Sequence, residues 1–597
     1  MSKTLIIVES PAKAHKIQEY LGKEYVVMAS YGHITDLAKG GKHGIGVDVN
    51  NNFKPHYVLI DDKVKVLDNI LQEAKRAKLV LLCGDNDREG TAICWHLQER
   101  LSGISAPMKR ASFNEITKKA ILKAIDNASD INMNIVHSQE ARRILDRLVG
   151  FMVSPFLINF FGPKLSAGRV QSVVTRMIID REREIETFIP ENYWTIQVNL
   201  SKDNKNGFLT KYSGKLTDQK SADSMKSILS DKSAEFIVSE VLAEEEKKYP
   251  QPPMVTSTLQ RIMSKDYNFS ADRTMKAAQS LYESGYCTYI RTDSVRVNDD
   301  ALIDVRGWIK SNNYALPKKA ILYKNKDASQ DAHECIRPTD LTLLPNSNYA
   351  IINSDEKKVY DVIWKYFVAS QMMPAIYNTL KITAHVKGNK LAEVKASGKA
   401  IKSQGFLEIF EIIDDSKIEI PLLAVNDILS HFGKSPVKME KKQTQPLPRF
   451  SEDKLIKELV NKNIGRPATY ADLLSKITTR NYVEKRGNVY HATDLGKKIT
   501  DELSKYFTFM NYNYTSDLEK KLDEIESGKI DHINMLKAFF PEFKKELDDA
   551  YVKHGGTLCE KCSGQMIIRI AKSTGEKFLG CNSYPSCLFT KQINRAA

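Results

Sequence analysis

The run 289–294, Tyr-Ile-Arg-Thr-Asp-Ser, contains two residues that could carry out chemistry on a phosphodiester. A phenolic oxygen can attack phosphorus, but its ordinary pKa of about 10 means that it must first lose its proton or be activated. The guanidinium of Arg291 could stabilise the extra charge on the phosphate through its planar fork of donors. Because the chain has 25 tyrosines, residue type alone does not single out Tyr289. The alternative interpretation is a core tyrosine beside an exposed arginine.

Three carboxylates alternate in one loop and could bind a metal ion. Asp85, Asp87 and Glu89 offer hard oxygen ligands, which suit Mg²⁺, an ion that usually keeps several waters. An acidic run of this kind is most often a solvated loop, so its position in the fold decides between the two interpretations. Glu9 could add a further acid, and Lys13, one helical turn later, could pair with a phosphate or with an acid.

Two short apolar runs precede these acids. Residues 3–8 end at Glu9, and residues 79–83 end just before the loop that contains Asp85. Continuous apolar strands separated by helical segments predict a parallel sheet that is covered on both faces. Functional residues of such sheets collect beyond the carboxyl ends of the strands. We therefore expect Glu9 and the acidic loop to lie close together at one edge of the sheet.

A helix is predicted just before the tyrosine. Ser270 can cap its first turn, and Gly285 stands where a glycine commonly ends a helix. Tyr289 would then lie on a short strand or turn, and in a strand its side chain would share a face with that of the arginine two residues on. His333 is a further candidate, because the acidic and basic residues around it suit an anion-facing site. A lone histidine is nevertheless more often structural.

Four of the eight cysteines cluster near the C-terminus as C-x2-C, 18 residues, and C-x5-C. They are Cys559, Cys562, Cys581 and Cys587. This spacing predicts a closed, tetrahedral, structural zinc site, with disulfides as the weaker alternative in a reducing compartment. Aromatic residues alternate with lysines around the cluster, which suits stacking on single-stranded bases or simply the small core of such a module. The residues concerned are Phe578, Tyr584, Phe589, Lys572, Lys577 and Lys591.

Composition indicates a polyanionic partner. The 597 residues carry a formal net charge of +14, from 88 Lys and Arg against 74 Asp and Glu, although ordinary solubility charge is the alternative. The N-terminus lacks the long apolar region and cleavage site of a signal peptide, and no apolar run approaches membrane-spanning length. We expect a cytoplasmic protein with reduced thiols and no membrane partner.

No nucleotide-driven motor is evident in the sequence. The run 433–435, Gly-Lys-Ser, lacks the upstream glycine of a phosphate-binding loop, because position 428 is Ile428. We therefore expect chemistry that does not use ATP. The chain length predicts about four domain-sized units. Charged runs that meet prolines near residues 244–253 and 441–448 are interpreted as domain edges or hinges, or equally as exposed loops.

With these residues in view, the chain resembles the bacterial type IA DNA topoisomerases, of the topoisomerase I kind, along most of its length. So many matches in the same order are highly specific. The four-cysteine cluster is similar to the zinc domain at the C-terminus of that family, here in a single copy. The other matching segments are residues 8–13, 31–37, 85–90, 113–117, 165–172, 289–294, 332–334 with 336–338, and 465–471.

The resemblance implies a multidomain fold that combines α/β, α and β domains. An N-terminal Toprim domain with a Rossmann-like parallel sheet would precede a toroidal type IA core and a C-terminal zinc ribbon. The implied domains are 1–130 (Toprim), 131–190 with 441–550 (helical, DNA-binding), 191–250 with 378–440 (β-rich gate or hinge), 251–377 (catalytic tyrosine) and 555–597 (zinc and DNA binding).

The resemblance also implies roles for individual residues. Tyr289 would be the nucleophile that forms a 5′-phosphotyrosyl bond, with Arg291 stabilising the phosphate and His333 assisting. Glu9 would handle the proton of the 3′-hydroxyl leaving group, with Lys13 close by. Magnesium, used mainly for religation and relaxation, would be held by Glu9, Asp85, Asp87 and Glu89. The DNA-binding residues would be His33, Arg110, Arg169, Gln171 and Arg337.

Two departures from the family pattern bear on the site. Thr91 stands where the family usually has a further acid, and Cys335 replaces a small residue beside His333. Neither removes a residue that is assigned to the chemistry. We therefore predict an isomerase that relaxes negatively supercoiled DNA by cutting one strand transiently, acting without ATP as a monomer associated with the nucleoid. A topoisomerase III-like decatenase, a Toprim nuclease or primase, and a non-catalytic single-strand-binding protein remain as alternatives.

Overall fold

A computed structural model describes most of the chain. The described residues are 3–39, 45–325, 333–347, 353–411, 420–562, 564–571, 574–582, 584 and 587–592. Of the residues named above, Ala332 in the 332–334 match and Lys572 beside the cysteines lie outside this part.

The N-terminal stretch contains a parallel sheet with the strand order β2-β1-β7-β8. The predicted parallel pairing of the two apolar runs is confirmed, since β1 and β7 are direct neighbours and Val8 lies opposite Cys83. The elements are β1 (Thr4–Val8), α1 (Pro11–Tyr20), β2 (Tyr25–Ala29), β3 (Thr35–Leu37), β4 (Val47–Asp48), β5 (Lys54–Pro55), β6 (Tyr57–Leu59), α2 (Val64–Ala74), β7 (Leu79–Cys83), α3 (Arg88–Arg100), β8 (Met108–Arg110) and α4 (Lys118–Asp126).

Both faces of this sheet are buried, which explains why its strands are apolar at every position. Leu5 and Ile7 point into one hydrophobic core, which is closed by α2 and α3. Ile6 and Val8 point into a second core. That second core also contains Tyr289, so the sheet and the segment with the candidate nucleophile are packed together.

The chain then forms two long helices and enters a β-rich stretch. Here the strands alternate buried and exposed positions, as expected for antiparallel strands with one solvated face. The elements are α5 (Met133–Phe161), α6 (Gln171–Glu186), β9 (Asn192–Ser201), β10 (Phe208–Tyr212), α7 (Gln219–Ser230) and β11 (Phe236–Lys248).

Along the sequence, a helical stretch around Tyr289 separates β11 from the remaining strands of this sheet. Ser270 caps α9 as predicted, and Gly285 follows that helix with φ +80°. The helices are α8 (Thr256–Tyr267), α9 (Ala271–Glu283), α10 (Asp299–Ser311) and α11 (Ser354–Ala369). The strands β12 (Ala375–Val386), β13 (Asn389–Ser403), β14 (Ile428–His431) and β15 (Val437–Gln443) then give an antiparallel sheet ordered β10-β13-β12-β11-β14-β9-β15, in which β10 also pairs with β9.

Helices dominate the rest of the chain up to the cysteine module. They are α12 (Glu452–Asn461), α13 (Tyr470–Thr479), α14 (Asp494–Tyr506), α15 (Tyr512–Glu526) and α16 (His532–Lys553), with a hairpin of β16 (Val483–Arg486) and β17 (Val489–Ala492). The module itself has β18 (Met566–Ile570), β19 (Lys577–Cys581) and β20 (Thr590–Gln592). Helices α5 and α6 pack against α13 to α16. The predicted domain boundaries stay predictions.

Helix α5 is the one helix in the described part that is long and apolar enough to cross a membrane. This differs from the expectation that no apolar run approaches membrane-spanning length. Many of its apolar residues, including Ile144, Leu148 and Phe156, lie in the core that α15 and α16 share with it. Buried Arg147 lies on the same helix and donates to backbone carbonyls. Packing inside the fold therefore accounts for its hydropathy.

Candidate active site

Tyr289 lies in an irregular segment that leads from α9 towards α10, and not in a strand. Its backbone N–H donates to the carbonyl of Asn114 at 2.7 Å, which ties the segment to the loop after β8. Its side chain is 3% exposed. The phenolic hydroxyl donates to Oδ2 of Asp87 at 2.5 Å. The structure thus brings the candidate nucleophile into direct contact with the acidic loop, 202 residues earlier in the chain.

The surroundings keep this phenol protonated. Burial raises the pKa of Tyr289 well above its usual value, and the charges of Asp87 and Asp85 act in the same direction. Arg291 acts in the opposite direction, and its Nη1 lies 4.0 Å from the same Oδ2 of Asp87. Although the segment is irregular, the two side chains therefore converge on one carboxylate. A phosphate that approached Tyr289 would meet the guanidinium as well.

The acidic loop is held by backbone contacts that require glycine. Asp87 caps α3 by accepting from the N–H of Gly90, and Glu9 accepts from the N–H of Asp85 at 2.7 Å. A Cβ at Gly90 would lie 2.3 Å from the carbonyl oxygen of Asp85, 2.5 Å from its backbone nitrogen and 2.8 Å from Oε1 of Glu9, so a larger residue would distort the acidic loop. The expected meeting of Glu9 with the acidic loop at the sheet edge is confirmed by this geometry.

Lys13 and Asp85 form a buried ion pair inside the site. Nζ of Lys13 lies 2.5 Å from Oδ1 of Asp85, and the two side chains are 1% and 8% exposed. The hydroxyl of Tyr282 also donates to this Oδ1, at 3.4 Å. Burial and the charge of Asp85 raise the pKa of Glu9 to about 7, although Lys13 opposes the shift. Glu9 is therefore suited to exchange a proton near neutral pH.

Glu89 faces the other side of the loop. It contacts Nε2 of His33 and accepts from Nε2 of Gln139 at 3.1 Å. Burial would raise the pKa of Glu89, but these partners, together with the charge of Arg143, lower it to about 2. The carboxylate is thus ionised and already satisfied by protein groups.

The donor set fits a hard divalent cation in its chemistry. All four acids offer carboxylate oxygens near the sheet edge, and hard oxygen ligands are the type that Mg²⁺ prefers. Each of them is nevertheless engaged by a protein donor. Within the described ranges, the four cysteines are the one group of three or more candidate ligands whose atoms lie within 4.8 Å of one another. A metal bound by Asp85 or Asp87 would therefore replace contacts with Lys13 or Tyr289.

The predicted DNA-facing arginines point into the protein. Arg110 donates to the carbonyls of Leu82, Ala111 and Asp85 and so shapes the acidic loop. Arg337 pairs with carboxylates at positions 115 and 334. Their roles towards DNA stay predictions.

Arg169 lies at the centre of a buried charge cluster. Its side chain donates to Asp146 at 3.0 Å and to Glu519 at 2.8 Å. Glu519 is fully buried on α15, and Arg142 and Arg466 each lie 3.8 Å from its other oxygen. One carboxylate thus balances three guanidinium groups, and burial would raise the pKa of Glu519 if they did not lower it far below its usual value.

Two other residues predicted for the site are His333 and Gln171. His333 is partly buried, and its backbone carbonyl accepts from Ser294 at 2.8 Å, which anchors it behind the tyrosine segment. Burial raises the pKa of the nearby Asp293, while Arg466 and His333 oppose the shift. Gln171 begins α6, and its buried Nε2 has no hydrogen-bond partner among the described residues.

The four cysteines form a compact cluster. Sγ of Cys559 lies 3.7 Å from that of Cys587, and Sγ of Cys562 lies 3.3 Å from that of Cys581. These separations are too long for disulfides and suit four thiolates around one ion. The predicted four-cysteine zinc site is confirmed as a ligand set.

Two residues of this site, Tyr282 and Arg88, have no role predicted from the sequence. Tyr282 lies on the helix that was predicted before the tyrosine, and its hydroxyl contacts Asp85. Arg88, between the acids, reaches Asp523 and Glu526 on α15. Only long-range packing reveals these contacts, so no local pattern could have predicted them.

Comparison with known proteins agrees with this geometry. A family model described as "DNA topoisomerase" matches residues 130–537, the Toprim domain matches 4–116, and the topoisomerase DNA-binding C4 zinc finger matches 556–596. The chain belongs to the bacterial type IA DNA topoisomerases. The predicted fold class and enzyme class are thereby confirmed.

Full-length relatives extend the match. DNA topoisomerase 1 of Pseudomonas aeruginosa is 38% identical over 638 residues, which cover 98% of this chain and 72% of that protein. DNA topoisomerase 1 of Pasteurella multocida is 37% identical with the same coverage. The structure of full-length topoisomerase I from Thermotoga maritima superposes with a TM-score of 0.80 at 32% identity, covering 99% of this chain and 97% of the other.

Removing the carboxylate of Glu519 should destabilise the protein strongly. We expect Glu519→Ala to lower the free energy of unfolding by about 3–5 kcal/mol, because the fully buried Arg169 and the partly buried Arg142 and Arg466 lose a shared counter-charge. Asp517→Ala is the matched control, since Asp517 is an exposed acid on the same helix. Chemical denaturation of both variants measures the difference. Equal stability of the two variants would contradict the assigned role of the cluster.

Zinc content should depend on the cysteine cluster alone. We expect the protein purified under reducing conditions to carry about one zinc ion per chain, and Cys581→Ser to lose it, because a closed site needs its four thiolates. Cys335→Ser should keep the ion, since Cys335 is buried elsewhere in the fold. Elemental analysis by mass spectrometry gives the stoichiometry. Zinc retained by Cys581→Ser would refute this ligand set.

Proposed function

We propose that the chain relaxes negatively supercoiled DNA without ATP, by cutting one strand through a 5′-phosphotyrosyl bond, passing the other strand and resealing the cut. The observation that carries the proposal is the hydrogen bond from Tyr289 to Asp87, which sets a phenolic nucleophile against the acids of the Toprim sheet. Arg291 stands beside it as the cation for the phosphate.

Cleavage would be a transesterification. The phenolic oxygen of Tyr289 attacks phosphorus, a phosphotyrosyl bond forms, and the bond from phosphorus to the 3′-oxygen breaks. The phenol must lose its proton in this step, and Asp87 is the acceptor already in contact with it. The departing 3′-oxygen needs a proton, which Glu9 can supply because its pKa is raised to about 7. Arg291 and Lys13 offset the negative charge of the phosphate.

Resealing would be the same reaction in reverse. The 3′-hydroxyl gives its proton back to Glu9 and attacks phosphorus, the bond from phosphorus to the phenolic oxygen breaks, and Asp87 returns the proton to Tyr289. Bond energy is conserved in the protein–DNA link, so supercoil strain can drive the process without nucleotide hydrolysis. His333 would assist near the phosphate.

Magnesium fits this pocket as an aid to resealing. Glu9, Asp85, Asp87 and Glu89 are the residues that would hold it, and all are oxygen donors of the type the ion prefers. When bound, the ion would stabilise negative charge on phosphate oxygens. Asp87 becomes available to it once Tyr289 has moved onto the phosphate.

DNA is the proposed partner of the whole chain, in single-stranded segments of underwound duplex. The net charge of +14 favours a polyanion. His33, Arg110, Arg169, Gln171 and Arg337 are proposed to contact it, and the arginines among them would have to exchange their carboxylate or carbonyl partners for phosphates. We further propose that the protein acts as a monomer in the cytoplasm on nucleoid DNA.

Decatenation is the runner-up within the same chemistry. A gel that compares relaxation of a supercoiled plasmid with unlinking of catenated circles separates the two. A Toprim nuclease or primase would need no tyrosine adduct, and a non-catalytic binding protein would need no acids beside the tyrosine.

Tyr289→Phe should abolish relaxation and leave DNA binding within about twofold, because only the attacking oxygen is lost. The measurements are plasmid relaxation with magnesium and no nucleotide, and binding of a labelled oligonucleotide by fluorescence anisotropy. Tyr286→Phe, three residues earlier, is the matched control and should relax normally. Relaxation by Tyr289→Phe would refute the assignment of the nucleophile.

Removal of residues 555–597 should weaken single-strand binding about tenfold or more without unfolding the rest, because aromatic stacking contributes roughly 1–3 kcal/mol per base. Tyr584, which is 52% exposed beside Arg569, is the side chain most open to a base, so Tyr584→Ala should give part of the loss. Anisotropy titrations and thermal unfolding test both points. Unchanged affinity after truncation would count against DNA binding by this module.

A further inference from the structure

Tyr282 is a second tyrosine at the centre of the site, and the proposed reaction does not use it. It lies on α9 and its side chain is fully buried. Its ring meets that of Tyr289 edge to face, with centroids 5.3 Å apart. The helix ends one residue later, at Glu283, and the segment that contains Tyr289 follows directly.

Two charged groups of the Toprim sheet also contact Tyr282. Nζ of Lys13 lies 4.9 Å from the centre of its ring, which is within reach of a cation–π attraction. Its hydroxyl donates to Oδ1 of Asp85, and the same oxygen accepts a hydrogen bond from Nζ of Lys13. One side chain thus touches the nucleophile, the lysine and an acid.

We infer that Tyr282 is a positioning residue, whose ring and hydroxyl hold Lys13 and Asp85 in place against Tyr289 for the cleavage step. The inference rests on the proposed function, since it assigns a supporting role within that reaction. Alignment of this kind matters because small displacements of reacting groups lower rates strongly.

The geometry of Tyr282 suits support and not attack on phosphorus. Its hydroxyl is engaged as a donor to Oδ1 of Asp85, whereas it is Tyr289 that contacts Asp87 beside Arg291. The ring provides a flat face for an ammonium group that has little contact with water, since Lys13 is 1% exposed. Packing alone would need neither the hydroxyl nor the charged neighbours.

Two variants separate the contribution of the Tyr282 hydroxyl from that of its ring. Tyr282→Phe keeps the ring and loses the donor, whereas Tyr282→Leu loses the face that holds Lys13. Tyr360→Leu is the matched control, because Tyr360 is equally buried in the same core and its hydroxyl donates to backbone carbonyls at 340 and 343, away from the acids.

The test measures covalent adduct formation on a labelled single-stranded oligonucleotide, with excess chelator, together with the dissociation constant for that DNA. We expect Tyr282→Leu to lower the cleavage rate constant by roughly tenfold or more with affinity within about twofold. Tyr282→Phe should restore most of the rate and remain roughly two- to fivefold slow. Tyr360→Leu should cleave at the normal rate even if its unfolding temperature falls.

The inference is overturned if Tyr282→Leu cleaves at the normal rate, or if its loss of rate follows a loss of DNA affinity. A normal cleavage rate for Tyr282→Phe overturns the role of the hydroxyl. If Tyr282→Leu does not fold, a normal rate for Tyr282→Phe overturns the whole inference. Tyr289→Phe is run alongside as the reference. An adduct formed by Tyr289→Phe would sink the proposed function itself, whereas normal behaviour of the Tyr282 variants with an inactive Tyr289→Phe sinks only this inference.

Discussion

The hydrogen bond between Tyr289 and Asp87 is the contact on which the interpretation of this molecule depends. It joins a segment after α9 to a loop of the N-terminal sheet, and it forms inside a core that both contribute to. Low water content in such a core makes a phenol hard to ionise, and it makes each nearby charge matter more. Tyr289 is therefore held as a neutral phenol in the closed arrangement.

The acids of the site are balanced by individual protein donors. Lys13 satisfies Asp85, His33 and Gln139 satisfy Glu89, and the tyrosine satisfies Asp87. Unpaired buried charges would cost several kcal/mol each, so these contacts stabilise the closed arrangement. They also compete with any ligand. Metal and phosphate can enter only by taking over partners that the protein now supplies, which links binding at the site to movement of Tyr289.

Local pattern was enough to predict the supporting elements and the meeting of Glu9 with the acidic loop, but not the contacts of this loop with the tyrosines. Continuous apolar runs predicted the parallel strands, because both faces of that sheet are buried, and Ser270 and Gly285 marked the ends of α9. Choice of Tyr289 among 25 tyrosines needed the family resemblance. Tyr282 and Asp85 are 197 residues apart, and their contact depends on the packing of separate elements. Such contacts produce no periodic pattern in the amino-acid sequence. The contacts of Arg169 with Asp146 and Glu519 likewise join distant parts of the chain, and its predicted role towards DNA stays a prediction.

Strand passage, as proposed, would have to separate the tyrosine from the acids. The free-energy cost of this separation depends on the shared core, because Ile6 and Val8 from the sheet pack in the same cluster as Tyr289. Buried apolar area contributes roughly 25 cal/mol per Å². Ionic contacts between Arg88 and α15 add a second link between the same sheet and the helices. In that proposal, a phosphotyrosyl bond would keep the cut strand attached while these contacts are broken. Re-formation of the apolar core would then favour the closed site, with Tyr289 against the acids, as the state to which the molecule returns.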